Sequence, residues 1–272
     1  MNGSRFQVAH LETLNLKLAM SRERLYRVEA IVLKRTDHGE ADRLLTLFTP
    51  DLGKIRVNAK GARKPSSRKS GHVELFTHVD LLIAKGQHID VITQADTLEA
   101  FIPLRDNLER VSYAYYLVEL VDKFSEEGSE NPPVFDLLVH ALGWLSESAT
   151  NPDLLARFFE LRFLQYVGYR PQLFQCLHCG NPIEPVENYF SAEAGGVLEP
   201  ACAHTQHDAQ PISLNALKVL RYLQTREWET VRRLRLALPV LTEVEHLMQR
   251  YISYHLEREL KSIEFLHQLK GT

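Results

Sequence analysis

Two groups of side chains in this chain have the types and spacing to do chemistry. The first is Cys176-Leu-His-Cys179-Gly180, with Cys202 following in the stretch GGVLEPACAHTQH. A C-x-x-C before glycine begins a zinc-knuckle turn, in which backbone N–H groups point at two thiolates and glycine supplies the positive φ. A second pair of cysteines would complete a four-ligand structural site. Here that pair is incomplete, because Glu199 stands where its first cysteine would be. Three thiolates need one more donor to close a tetrahedron around Zn2+. His204 is the expected fourth ligand beside Cys176, Cys179 and Cys202, since imidazole is softer than carboxylate; His207 and Glu199 are the alternatives. A closed site of this kind is structural and contributes on the order of 10 kcal/mol to folding a segment too small for its own core. The competing reading is that no metal binds.

The second group is the run Lys54–Lys69, KIRVNAKGARKPSSRK, with seven Lys/Arg in sixteen positions and no carboxylate. The whole chain has 32 Lys+Arg against 35 Asp+Glu, so this charge is a local concentration. A local field of one sign attracts a polyanion, and nucleic acid is the commonest in a cell. The bland alternative is a solvated loop. Catalysis is not visible: no Walker-type phosphate loop, G-x-G-x-x-G or G-x-S-x-G occurs. His72-Val73-Glu74 and the C-x-x-C superficially match a zinc deaminase, but they lie about a hundred residues apart and no proline precedes Cys176.

The elements that must position these groups follow from periodicity. Strand-like segments run over Tyr26–Thr36, Arg43–Thr49, Lys54–Lys60, Val73–Ala84 and His88–Gln94, with turns at Pro50–Gly53 and Gly86. Five short strands suit an OB-type barrel, a fold that binds single strands on a basic face carrying aromatics. The aromatic supply is thin: Tyr26, Phe48 and Phe76, each of which could equally be core. From Leu108 the period becomes helical. One helix covers Leu108–Phe124 with Leu108, Val111, Tyr115, Val118 and Val121/Asp122 on its apolar stripe; Pro132-Pro133 opens a second, and Leu154–Val167 forms an apolar third. That third helix is expected to be the centre of a bundle, the alternative being an aromatic groove rimmed by Arg157 and Arg162. Val240–Leu269 reads as one long amphipathic helix.

The expected architecture is therefore α+β and multidomain. It comprises an extension over 1–25, an OB-fold over 26–103, a helical bundle over 104–172 and 211–272, and an inserted zinc-knuckle-like module over 173–210. At 272 residues and 44% hydrophobic content the chain can bury more than one core. No apolar stretch reaches the roughly eighteen residues of a membrane span, and the first two dozen residues lack a secretory signal's apolar centre. Three cysteines do not make a disulfide framework, which points to the reducing cytoplasm.

Four stretches together resemble one family. Ala30–Arg68, Gly168–Gly180, Gly195–Cys202 and Tyr254–Leu266 are similar, in order, to RecO, the bacterial DNA repair and recombination mediator family. The resemblance covers nearly everything after residue 25. It implies a non-enzymatic protein that binds single- and double-stranded DNA and anneals strands coated by single-strand-binding protein, whose acidic C-terminal tail it recognises. With RecR, such a protein promotes RecA loading, working in the cytoplasm at the nucleoid. The matching DNA-binding positions are Lys34, Arg35, Lys54, Arg56, Lys60, Arg63, Lys64 and Arg68, with Lys69 extending the run. The family's zinc ligands carry over to Cys176, Cys179 and Cys202 only. Two other classes remain open: an OB-fold scaffold that binds protein and not DNA, and a zinc-dependent nucleic-acid enzyme.

Overall fold

The computed structural model describes residues 24–256 and 260–270. The expected extension over 1–25 thus lies almost wholly outside the described residues. The described residues form two compact units: one holds residues 24–100 together with Glu127–Glu130, and the other holds Phe101–Glu126 and the described residues from Asn131 onward.

The first unit is a closed barrel of five strands: β1 (Leu25–His38), β2 (Asp42–Thr49), β3 (Gly53–Ala59), β4 (His78–Ala84) and β5 (Asp90–Glu99). Its order is β1-β2-β3-β5-β4, with β1 pairing both β2 and β4, and a short parallel contact between β3 and β5 closing it. That is the OB topology. Period-two apolar positions fill the interior: Val28, Ala30 and Val32; Leu45 and Leu47; Val57 and Ala59; Val79, Leu81 and Ile83. A register shift in β1 between Val32 and Lys34 ends its buried run, and the strand beyond is exposed. Gly53 sits at φ +59°, and a Cβ there would meet the Ser129 carbonyl oxygen at 2.0 Å, so the β2–β3 turn requires glycine. The fourth strand starts later than its periodicity suggests, because Ser70–Val73 forms a 3-10 turn ahead of it.

In the second unit, α1 (Ile102–Arg105), α2 (Leu108–Phe124), α3 (Pro132–Ser146) and α4 (Pro152–Tyr166) come first. Asn107, Asn131 and Asn151 cap α2, α3 and α4, each side chain accepting the N–H of the third helical residue. The prolines at the start of α3 and α4 occupy positions whose N–H would be unpaired anyway. The stripe expected on α2 is borne out only towards its end. Val118 and Val121 are buried, but Leu108 and Tyr115 are exposed, and the buried face also takes in Tyr113, Tyr116, Leu117 and Leu120. Helix α4 is buried all round, as a bundle centre should be, and this includes Arg157 at 2% exposure.

A three-stranded sheet follows, in order β7 (Gly196–Leu198), β6 (Asn188–Ser191), β8 (Gln210–Ile212). The chain continues with α5 (Leu214–Thr225), α6 (Trp228–Val231), α7 (Leu238–Leu256) and α8 (Lys261–Lys270). The single long C-terminal helix expected over 240–269 is thus two helices, with 257–259 outside the described residues. Helix α8 has its own start. The Glu119 carboxylate accepts the N–H groups of Lys261 and Ser262 at 3.2 and 2.8 Å and the Ser262 hydroxyl at 2.6 Å. An acidic side chain on the first N–H groups of a helix satisfies donors that a continuous helix would have bonded internally. No helix among the described residues is long and apolar enough to cross a membrane.

Candidate nucleic-acid interface and metal centre

The barrel unit gathers all nine basic positions. Lys34 and Arg56 flank Thr46 on one face of three adjacent strands, through the pairings Lys34↔Thr46 and Thr46↔Arg56. Lys60, Arg63, Lys64, Arg68 and Lys69 lie on the loop between β3 and the 3-10 turn. That loop is fastened at both ends. At its start the Asp42 carboxylate accepts the Gly61 N–H at 2.8 Å and the Asn58 side-chain amide at 3.2 Å. The Gly61 N–H is the chief cause of an Asp42 pKa held below the usual carboxylate range. At its end the Lys69 ammonium donates to the Ile92 carbonyl at 3.0 Å.

Although the run contains no carboxylate, the fold brings carboxylates to it. Arg56 pairs with Glu127 at 2.8 Å, Arg63 with Asp37 at 3.5 Å, and Arg35 with Glu74. Arg43, which sequence reasoning did not single out, joins these pairs by contacting Glu74 at 2.8 Å and Asp37 at 3.8 Å. Its only advance signal is alternation, which places a charged residue at the rim of β2. Among the described residues Lys34, Lys60, Lys64 and Arg68 are exposed and make no ion pair. Lys54 is half-buried. The aromatic candidates divide similarly. Phe48 and Phe76 are buried and cannot stack on a base, and the Tyr26 hydroxyl donates to Asp90 at 2.7 Å. What remains exposed is charge with little stacking surface.

The three cysteines converge with Glu199: the four ligand atoms of Cys176, Cys179, Glu199 and Cys202 all lie within 4.8 Å of one another. The first arm is a tight turn in which Gly180, at φ +78°, donates its N–H to the Cys176 carbonyl at 2.9 Å. The second arm leaves β7 at Glu199 and enters a 3-10 turn, Pro200–Thr205, where the Cys202 N–H bonds the Glu199 carbonyl at 2.9 Å. Leu177 N–H to Val197 O, 3.1 Å, ties the two arms together. Of the three residues considered for the fourth ligand, the structure brings Glu199 to the cysteines and leaves His204 and His207 outside the group. His204 is exposed, and His207 is 85% exposed with its ring at 3.3 Å from Glu193. The reason is geometric. A 3-10 turn repeats every three residues, which sets Glu199 beside Cys202, while His204, two residues on from Cys202, falls outside the group.

Tetrahedral zinc, with bonds of about 2.3 Å to sulfur and 2.0 Å to oxygen, sets donor separations of about 3.5–3.8 Å. The Glu199 Oε1 lies 3.1 Å from Cys179 Sγ and 3.5 Å from Cys202 Sγ, so the donors fit one ion with little movement. Burial and the crowding of neighbouring thiols push the Cys202 thiol up to about 12. Burial also raises Cys176, but the N–H groups of Cys179, Glu199 and His178 outweigh it and leave its pKa lowered. A bound cation would deprotonate all three.

Arg157 and Arg162 do not rim a partner groove. Arg157 is buried, with Nη2 at 2.6 Å from Glu160 Oε1, which also accepts the Tyr116 hydroxyl at 2.5 Å. Arg162 lies over the Phe158 ring at 5.3 Å and donates to the Arg226 carbonyl at 2.6 Å. Both serve the core.

Comparison with known proteins is consistent along the chain. The family model for the Recombination protein O N terminal matches residues 20–101, and that for the Recombination protein O C terminal matches residues 105–264. The chain is 45% identical over 249 residues to the DNA repair protein RecO of Roseiflexus sp. (strain RS-1), covering 92% of this chain and 87% of that protein. It is 39% identical over 250 residues to the DNA repair protein RecO of Dehalococcoides mccartyi, covering 92% and 98%. For the DNA repair protein RecO of Desulforamulus reducens the identity is 36% over 246 residues, covering 90% and 95%.

Proposed function

The chain belongs to the RecO family of DNA repair proteins, and from that premise we propose that it is a recombination mediator with no catalytic step of its own. It binds single- and double-stranded DNA, anneals complementary strands coated by single-strand-binding protein, contacts that protein's acidic tail, and with RecR promotes RecA loading. It works in the cytoplasm at the nucleoid. The observation that carries this reading is the set of exposed, unpaired cations Lys34, Lys60, Lys64 and Arg68 on an OB barrel whose candidate stacking rings are mostly buried. Phosphate contacts of this kind read no bases and release counterions. They screen repulsion between two strands while leaving base edges free to pair, which suits an annealer better than a tight single-strand binder.

Cys176, Cys179, Cys202 and Glu199 hold a structural zinc ion. Its chemistry is to cross-link two short turns that bury little apolar surface of their own.

The test is annealing of complementary oligonucleotides pre-coated with the cognate single-strand-binding protein. Acceleration that moderate salt suppresses, and that Lys64→Glu with Arg68→Glu abolishes, supports the reading. No acceleration by the folded protein would overturn it in favour of a scaffold that binds protein.

A further inference from the structure

The second unit carries a cationic cleft that the barrel reading does not use. It has a volume of about 450 Å³ and is lined by Ala149, Glu229, Arg232, Arg233 and Arg235. The arginines sit on the non-helical stretch between α6 and α7, where the side chains are not tied into a helix face. Arg232 is fixed between Glu147 at 2.5 Å and Glu229 at 3.4 Å, so both nearby carboxylates are spent on one guanidinium. Arg233 and Arg235 are exposed and, among the described residues, neither pairs with a carboxylate; Arg235 Nη1 donates only to the Leu234 carbonyl at 3.2 Å. Two exposed guanidiniums lining one cleft concentrate positive charge there, and an anion bound in it would offset that charge.

We propose that this cleft binds phosphodiester groups of a nucleic-acid strand, as a second phosphate site on a different unit from the barrel. Guanidinium forks match phosphate oxygens bidentately, and Arg233 and Arg235 offer two such forks. An acidic peptide is the less fitting occupant, because Ala149 is the only apolar residue in the lining and offers no floor to anchor side chains. The inference rests on the reading that the protein handles DNA. It adds to that reading a place for a second strand, which annealing requires.

The test uses the full-length protein, a labelled single-stranded oligonucleotide and binding measured by anisotropy across salt concentrations. Arg233→Glu with Arg235→Glu removes two phosphate contacts, so the slope of log K against log salt should become shallower by about 1.4. Arg233→Gln with Arg235→Gln, a milder pair, should shift it in the same direction, with unfolding midpoints unchanged in both. A slope unchanged in these variants, while Lys64→Glu with Arg68→Glu lowers it, overturns the cleft and leaves the barrel reading standing. The reverse pattern upholds the cleft and removes the barrel. An unchanged DNA slope with lost binding of a labelled Asp/Glu-rich decapeptide would assign the cleft to an acidic protein segment instead.

Discussion

Replacing Glu127 by glutamine should make DNA binding tighter and more salt-sensitive, although the residue is an acid outside the basic run. Its carboxylate sits 2.8 Å from Arg56 Nε, with both side chains more than half exposed. An exposed pair contributes at most about 1 kcal/mol to stability, so the substitution should leave the fold intact. It also leaves Arg56 without its counter-charge. In the proposed interface the barrel's Lys34, Lys60, Lys64 and Arg68 contribute four phosphate contacts and about −2.8 to the slope for single strands; freeing Arg56 makes five and about −3.5. Between 200 and 50 mM salt, the barrel contacts by themselves should therefore raise affinity about 50-fold in the parent and about 130-fold in Glu127→Gln. Lys64→Glu with Arg68→Glu leaves the barrel two contacts, which contribute about −1.4 to the slope and a rise of about 7-fold. Anisotropy of a labelled oligonucleotide at three salt concentrations resolves these differences. If Glu127→Gln is folded and its slope equals or falls below the parent's, Arg56 does not face the strand. If the double variant keeps the parent slope, the loop is merely solvated.

Three further outcomes follow from the second unit. Glu199→Ala should weaken zinc binding by more than the roughly 10–100-fold typical of losing an outer-shell partner, while His204→Ala leaves it unchanged. Competition with a chromophoric chelator measures both, and Glu199→Cys should add thiolate-to-metal absorption in the Co2+ form; zinc loss on His204→Ala alone would refute the assignment. Arg157→Ala should cost about 3–5 kcal/mol in urea unfolding, because it strands the buried Glu160 carboxylate. The triple change Arg157→Met, Glu160→Leu, Tyr116→Phe should cost less, and a cost below about 1 kcal/mol for Arg157→Ala would show that the pair is not closed. Burial raises the Asp208 pKa, but the Ser191 hydroxyl, the Glu193 and Ala192 N–H groups and Arg250 together hold it below the ordinary value. Its stabilisation is therefore full above the unfolded value of about 3.9 and is lost as pH falls through the lower folded value. The parent's advantage over Asp208→Asn should narrow only below about pH 3.9, and a gap that stays constant into strong acid would refute the carboxylate's role.

What could be read from the sequence divides along a physical line. The barrel was legible because β1 to β4 carry their core residues at period two, as in Val28, Ala30 and Val32, a pattern that needs no knowledge of the partner strand. Helix α4 was legible as a bundle centre because its apolar residues go all round. The phase of α2 was not, because Leu108 and Tyr115 are apolar yet face solvent, and only packing decides which of two overlapping stripes is buried. Spacing marked Glu199 as the residue in the cysteine's place, whereas ligand softness favoured His204. The fold places Glu199, three positions before Cys202 on a 3-10 turn, beside the thiols, and leaves His204 exposed. The charges show the same division most clearly. A count of cations treats Arg35, Arg56 and Arg63 as equal to Lys60, Lys64 and Arg68, but Glu74, Glu127 and Asp37 reach the first three only through the fold. Cations already paired release fewer counterions when a phosphate arrives, so the strength of the proposed DNA binding depends on which residues the fold leaves unpaired and not on how many the sequence contains.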